Sequence, residues 1–333
     1  MERLTAALDL EREAGDASLA ARSGFLAGFL NVDKPAGITS FDVVRRVRRA
    51  ARTRKVGHAG TLDPLATGVL PIALGDATRL VSELVEARKR YVATVRLGEA
   101  TDTYDAEGEI TSTVDASAIE VASIAEALAA FEGESMQVPP AYSAIKRDGV
   151  PAYRAARRGD PLDLEARPVV VHAIALLEAR ATGAVIDATI EVECAKGFYV
   201  RSLAHDLGAA LGVGGHVAAL RRTGVGAFEV ADAVPLETVE RAFEAGRPDL
   251  VMQATDTVIR GWPALVLDRA SMIELHHGRA VRPPVASVVR AGASGERARC
   301  YGPDGRLEAL VRRGDQAGEW LPFRVFTHET LSQ

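Results

Sequence analysis

The stretch Lys55–Arg79, KVGHAGTLDPLATGVLPIALGDATR, sets a histidine, an aspartate and three close glycines (Gly57, Gly60, Gly68) ahead of an apolar, strand-like run. Pro64 biases Asp63 away from the right-handed helix and toward an extended conformation. The glycines permit tight turns or close approach of another backbone. Together these features present one carboxylate at the lip of a cleft. A lone Asp in a turn commonly bonds its own backbone instead. The setting beside His58 raises the chemical reading of Asp63.

Working outward, Phe25–Val32 reads as a strand that enters the turn Asp33-Lys34-Pro35-Ala36-Gly37. Thr39 and Ser40 are N-cap candidates for a helix whose Val44, Val47 and Ala51 recur at helical spacing. Arginines fill most of the remaining circumference. Residues 41–60 hold seven basic side chains against one acid, whereas residues 82–135 hold twelve acids against four bases. The net charge of −5 argues weakly against a nucleic-acid partner, but a local basic face can still steer a polyanion. A solvated helix face is the plainer reading of the same run.

Arg90–Gly98 alternates as a strand, with Tyr91 on the face of Ala93, Val95 and Leu97. Ser117–Glu120 has the form of a capping box for a helix carrying Val121, Ile124, Leu128 and Phe131. Gln137–Arg167 is long and poorly periodic, the mark of a functional segment. Asp187–Cys194 alternates as a half-buried strand and runs into Lys196-Gly-Phe-Tyr-Val-Arg201. If that strand continues, Tyr199 and Arg201 share a face; an arginine near a buried Asp would hold it ionised and orient it, and a surface arginine is the plainer reading. Past Thr257 short strands with Gly and Pro turns predict a small, mildly basic β domain.

At 333 residues about two domains are expected. No metal is called for: Cys194 and Cys300 lie far apart, and no second His or Cys stands near His58 at ligand spacing. The adjacent His276 and His277 read as surface residues. There is no GxxxxGKS/T loop and no GxGxxG between a strand and a helix, which disfavours nucleotide cofactors. No secretory signal or apolar span is expected, and two unpaired cysteines fit a reducing cytoplasm.

Seven ordered blocks resemble one family. They are Asp33-Lys34-Pro35 with Gly37–Ser40, Lys55–Pro71, Lys89-Arg-Tyr91, Thr101-Asp-Thr103, Gln137–Lys146, Lys196–Arg201 and Leu220-Arg-Arg222. Over about Phe29–Val230 the chain is similar to the bacterial TruB-type tRNA pseudouridine-55 synthases. Ala195, Phe198 and Val200 depart from the residues common in that family.

The resemblance implies an α+β fold. A mixed-sheet catalytic domain spans residues 26–256, with an RNA-gripping insertion at about 137–167. A PUA-like domain spans 257–333, after an unassigned extension, residues 1–25. It implies conversion of uridine to pseudouridine in the tRNA T-loop, without cofactor or metal, by a cytoplasmic protein expected to be a monomer. It implies Asp63 as the catalytic group, acting by attack on C1′ or by promoting elimination. It implies Tyr91 stacked on the flipped base, His58 supporting the flipped nucleotides, Tyr199 and Leu220 lining the pocket, and Arg201 as counter-ion in the substrate site. Lys34 falls in a structural Lys-Pro motif. Two rival readings are a guide-dependent synthase acting on other RNA and a tRNA-binding RNA chaperone.

Overall fold

The computed structural model describes residues 26–143, 145–147, 149–156, 158–160, 162–283, 288–290 and 297–326. The N-terminal extension, residues 1–25, and the last seven residues lie outside them.

An eleven-stranded mixed sheet forms the body. Its strands include β1 (Gly28–Lys34), β2 (Val56–His58), β3 (Thr67–Leu74), β4 (Lys89–Leu97), β5 (Gly133–Gln137), β6 (Arg167–Thr182), β7 (Val185–Cys194), β8 (Gly215–Val225) and β9 (Val234–Pro235). The main path runs β9-β1-β3-β8-β4-β7-β6-β5, with β2 on β3. The β3–β8 and β1–β9 pairs are parallel, and the other pairs along this path are antiparallel.

The apolar run of the opening stretch is β3, buried from Gly68 to Leu74 because both of its faces are covered. Leu70, Ile72 and Leu74 point into one core with Leu30 and Val32. Val69 and Ala73 point the other way, with Phe29. Pro71 is tolerated in this central strand because its carbonyl, and with it the missing N–H, faces the junction of β2 and β8, where Ala59 N donates at 3.1 Å.

Four helices add to the first core: α1 (Ser40–Ala50), α2 (Val121–Ala129), α3 (Val200–Ala210) and α4 (Leu236–Glu244). Thr39 caps α1 with a capping box completed by Asp42, and Val43, Val44 and Val47 form its buried stripe. The capping box expected at Ser117–Glu120 does not form. Glu120 is itself the N-cap of α2, with no side-chain cap bond, and the amide of Ser117 is taken by Asp115 Oδ1 at 2.8 Å. Ile124 and Leu128 are buried as expected, whereas Val121 is exposed.

The small C-terminal β domain is a five-stranded sheet of β10 (Ala264–Val266), β11 (Val288–Arg290), β12 (Arg297–Tyr301), β13 (Leu307–Arg313) and β14 (Trp320–Val325), in the order β11-β10-β12-β13-β14. It packs on the second face of the body, where Leu310 and Phe326 join Phe29, Leu80 and Phe228. Arg79 and Arg324 each donate across this junction, to the carbonyls of Val325 and Arg79.

Candidate active site

The loop Gly60–Ala66, between β2 and β3, carries Asp63 and is fastened from below. Lys34, at the end of β1, is fully buried, and its Nζ donates to the carbonyls of Pro35 (2.8 Å), Pro64 (3.2 Å) and Ala66 (2.7 Å). Three acceptors use all three ammonium protons, so the geometry calls for the charged form. Burial lowers its pKa to about 8, which leaves it mostly protonated at neutral pH. Ser40, at the start of α1, exchanges hydrogen bonds with the Leu62 backbone, donating to its carbonyl at 3.1 Å and accepting from its amide at 2.8 Å. Gly37 N donates to Pro64 O at 2.8 Å, and the positive φ of +82° at Gly37 turns the chain back over the loop.

From the side the loop is held by Arg222 of β8. Its Nε donates to Val69 O (2.7 Å), and its two Nη atoms to Thr61 O (3.4 Å) and Gly60 O (3.2 Å). Gly68 pairs with Arg222 so closely that a Cβ there would lie 2.2 Å from the Arg222 carbonyl oxygen. Only glycine permits that approach, and its φ of +98° excludes other side chains as well.

Asp63 thus points into a cleft of about 920 Å³. His58, Tyr91, Tyr199, Arg201 and Leu220 line the same cleft, so all six site residues expected from sequence converge. Arg201 Nε lies 2.9 Å from Asp63 Oδ2, and its Nη1 lies 3.4 Å from Asp105 Oδ2. The guanidinium also donates to the carbonyls of Tyr142 (2.9 Å) and Thr103 (3.4 Å). Burial pushes the Asp63 carboxyl above the usual carboxylate range, with Asp105 adding to the rise, while Arg201 pulls against both. Two carboxylates share one arginine; both line the cleft, and the Asp63 side chain, one-third exposed, is the more open of the two.

The route by which Arg201 reaches Asp63 differs from the one expected. The strand does not continue through Tyr199. That residue is the N-cap of α3, and Arg201 projects from the first helical turn. In place of a side-chain cap from Tyr199, Gln137 from β5 clamps this helix start, donating to Tyr199 O at 3.1 Å and accepting from Tyr199 N at 2.9 Å.

Tyr91 sits on β4 opposite Arg222, and burial raises its pKa. Burial likewise raises Tyr199. His58 is held below its usual pKa, first by burial and then by the Arg222 charge, so it is neutral at physiological pH. Its Nδ1 is buried with no hydrogen-bond partner among the described residues. Asp105 and Arg222 were not singled out in the sequence. Arg222 carried a signal, since it lies two residues past the inward Leu220 on a strand. Asp105 carried none beyond its place after Thr101-Asp-Thr103. Among the described residues no group of three or more His, Cys, Asp and Glu is placed to hold a metal.

The fold has close structural relatives. One is a chain of a Cbf5–Nop10–Gar1 complex, with TM-score 0.67, 27% identity, 93% of this chain covered and 87% of that one. Another is a chain of an H/ACA RNP bound to a substrate RNA containing 2′-deoxyuridine, with TM-score 0.66, 26% identity, and 90% and 85% covered. Residues 48–200 match the N-terminal domain of TruB family pseudouridylate synthase, and residues 201–263 match the tRNA pseudouridylate synthase B C-terminal domain. Fold and cleft therefore define a protein of the pseudouridylate synthase class.

The tRNA pseudouridine synthase B of Saccharophagus degradans is 42% identical over 303 residues, 90% of this chain and 96% of its own length. That of Corynebacterium aurimucosum is 45% identical over 286 residues, 86% and 92% of the two chains. The chain belongs to the TruB family.

Proposed function

We propose that the protein isomerises uridine 55 in the T-loop of tRNA to pseudouridine, with Asp63 as the catalytic group. The observation that carries this reading is the Asp63–Arg201 pair at 2.9 Å, facing an aromatic-lined cleft in a chain of this family. The isomerisation breaks the N1–C1′ bond, rotates the base and forms a C5–C1′ bond. The hydrogen on C5 is lost and N1 gains one, so no redox partner or energy source is consumed. One ionised carboxylate can serve by attack on C1′ or by promoting elimination, and Arg201 favours the charged form of Asp63 against its burial.

A T-loop uridine must leave its stack, at a cost of a few kcal/mol. Stacking on the Tyr91 ring offsets ~1–3 kcal/mol of that. His58, Tyr199 and Leu220 shape the pocket around the flipped base. The segment 137–167 grips the RNA, and its Tyr142, Ser143 and Tyr153 line the cleft wall. The five-stranded sheet serves as a PUA-like RNA-binding domain. Identity of 42–45% to proteins named tRNA pseudouridine synthase B, against 26–27% to the ribonucleoprotein chains, favours guide-independent action on tRNA. Among the described residues no helix is long and apolar enough to cross a membrane.

The test is incubation with an unmodified tRNA transcript followed by pseudouridine mapping. One new pseudouridine at position 55, absent when that uridine is replaced by cytidine, supports the reading. An unmodified transcript contradicts it.

A further inference from the structure

Among the described residues, two other than glycine hold a left-handed backbone, Arg52 at φ +50° and Tyr104 at φ +63°. Arg52 follows the end of α1, where its amide donates to Arg49 O and the Thr53 amide to Arg48 O, both at 3.3 Å. Helices commonly stop in this way. Tyr104 ends no helix. A bulky side chain is strained in that conformation, and such strain persists only where the surroundings impose it.

Those surroundings lead to the cleft. Tyr104 follows the Thr101-Asp-Thr103 block and precedes Asp105. Thr103 and Asp105 line the cleft, whereas Tyr104 is not among the lining residues. Thr103 O and Asp105 Oδ2 each stand 3.4 Å from one nitrogen, Arg201 Nη1. Asp105 Oδ1 is already taken by Thr103 Oγ1 at 2.6 Å and by the Glu107 amide at 3.1 Å, which leaves Oδ2 for the arginine. The Tyr104 ring stacks on the His205 ring, with centroids 4.0 Å apart and planes 15° from parallel. His205 lies four residues beyond Arg201 on α3, so the two share a helix face. The turn is also tied to β8, where Val217 N donates to Tyr104 O at 3.0 Å and Ala106 N to Val217 O at 2.9 Å.

We propose that Tyr104 is a positioning residue: its ring, stacked on His205, holds the left-handed turn that brings Thr103 O and Asp105 Oδ2 together on Arg201 Nη1, and so keeps Arg201 Nε aimed at Asp63. This rests on the role given to Asp63 under Proposed function. The backbone bond that sets φ at Tyr104 separates the Thr103 carbonyl from the Asp105 side chain. Relaxing that angle would swing one of them off Nη1. The stack joins this turn to the helix that carries Arg201, so a ring outside the cleft fixes the geometry of a pair inside it.

The experiment compares wild type with Tyr104→Gly, His205→Ala and Tyr104→Phe in the full chain. Glycine tolerates the left-handed angle, so Tyr104→Gly removes the ring without adding strain. Single-turnover pseudouridine formation at saturating enzyme should slow by about 10–100-fold in Tyr104→Gly and in His205→Ala. The Kd for tRNA should stay within about twofold of wild type, because neither ring lines the cleft. Tyr104→Phe keeps the ring and should retain the wild-type rate. On an Arg201→Met background, Tyr104→Gly should cost little more, since its effect passes through the arginine. A second readout needs no turnover: the Arg201 Nε–H signal, assigned by its loss in Arg201→Met, should exchange with solvent about tenfold faster in Tyr104→Gly than in wild type or Tyr104→Phe. A wild-type rate in Tyr104→Gly, a Tyr104→Phe variant as slow as Tyr104→Gly, or a full additive loss on Arg201→Met would overturn the proposal. If wild type itself leaves tRNA unmodified, the functional reading falls and the Nε–H exchange decides the role of Tyr104: faster exchange in Tyr104→Gly upholds it, and unchanged exchange overturns it.

Discussion

Two sets of cations divide the molecule. One is the arginine-rich helix α1, conspicuous in sequence and on the surface. The other is Lys34, Arg201 and Arg222, scattered over the chain and all buried around the cleft. The helix spends much of its charge on the fold. Arg46 is bound by Glu240 and Glu237, Arg48 donates to the Val56 carbonyl at 2.9 Å, and Arg45 pairs with Asp42 at 2.8 Å. The buried three instead hold the Gly60–Ala66 loop by its carbonyls and by the carboxylate of Asp63. A high local density of charge in sequence is thus a poor guide to where charge acts strongly. Water and salt screen the helix, whereas the cleft wall screens little.

The comparison breaks if the two sets respond alike to substitution. Arg201→Met should have the largest effect, about 10³-fold or more on the single-turnover rate, because Asp63 and Asp105 then lose their shared cation and one of them takes a proton. Quenched-flow pseudouridine formation checks it. Lys34→Met should cost about 2–4 kcal/mol in denaturant unfolding, since buried carbonyls lose their donor. Arg49→Gln, on the exposed face of α1, should leave unfolding unchanged.

The acid limb of the rate profile should lie above the usual carboxylate range, because the Asp63 pKa is raised and the reaction needs its ionised form. For the same reason stability is lost as pH rises through that raised pKa. Asp63→Asn should therefore be at least as stable as wild type at pH 7, as melting curves would show. Smallest is the α1 surface: Arg45→Gln with Arg49→Gln should weaken tRNA binding about two- to threefold at low salt and hardly at all in high salt. A loss there as large as that of Arg201→Met would return the leading electrostatic role to the helix.

Much of this was legible in residue order. The apolar run after Asp63 read as a strand, which the fold covers on both faces, and the alternation in Asp187–Cys194 read as a half-buried one. The Gly-rich turn and Pro64 marked Asp63 as displayed. What escaped depends on contacts between distant segments. Arg201 reaches Asp63 from a helix start clamped by Gln137, and nothing local announces that clamp. Asp105 is the second carboxylate on Arg201, visible only when the chain is folded. Arg222 obeyed the strand period, yet a charged residue at an inward position reads as an exception until its carbonyl partners are seen. The helix expected to be capped at Ser117 starts at Val121, because Asp115 takes the amide of that serine.

The claim at the centre is that a single carboxylate does the chemistry. Pseudouridine mapping of tRNA after incubation with wild type and with Asp63→Asn, alongside tRNA binding by both, tests it most directly. The account predicts modification by wild type, none by Asp63→Asn, and binding retained within about threefold, since a neutral amide leaves the phosphate contacts intact. Pseudouridine formed by Asp63→Asn at a rate near that of wild type would contradict it.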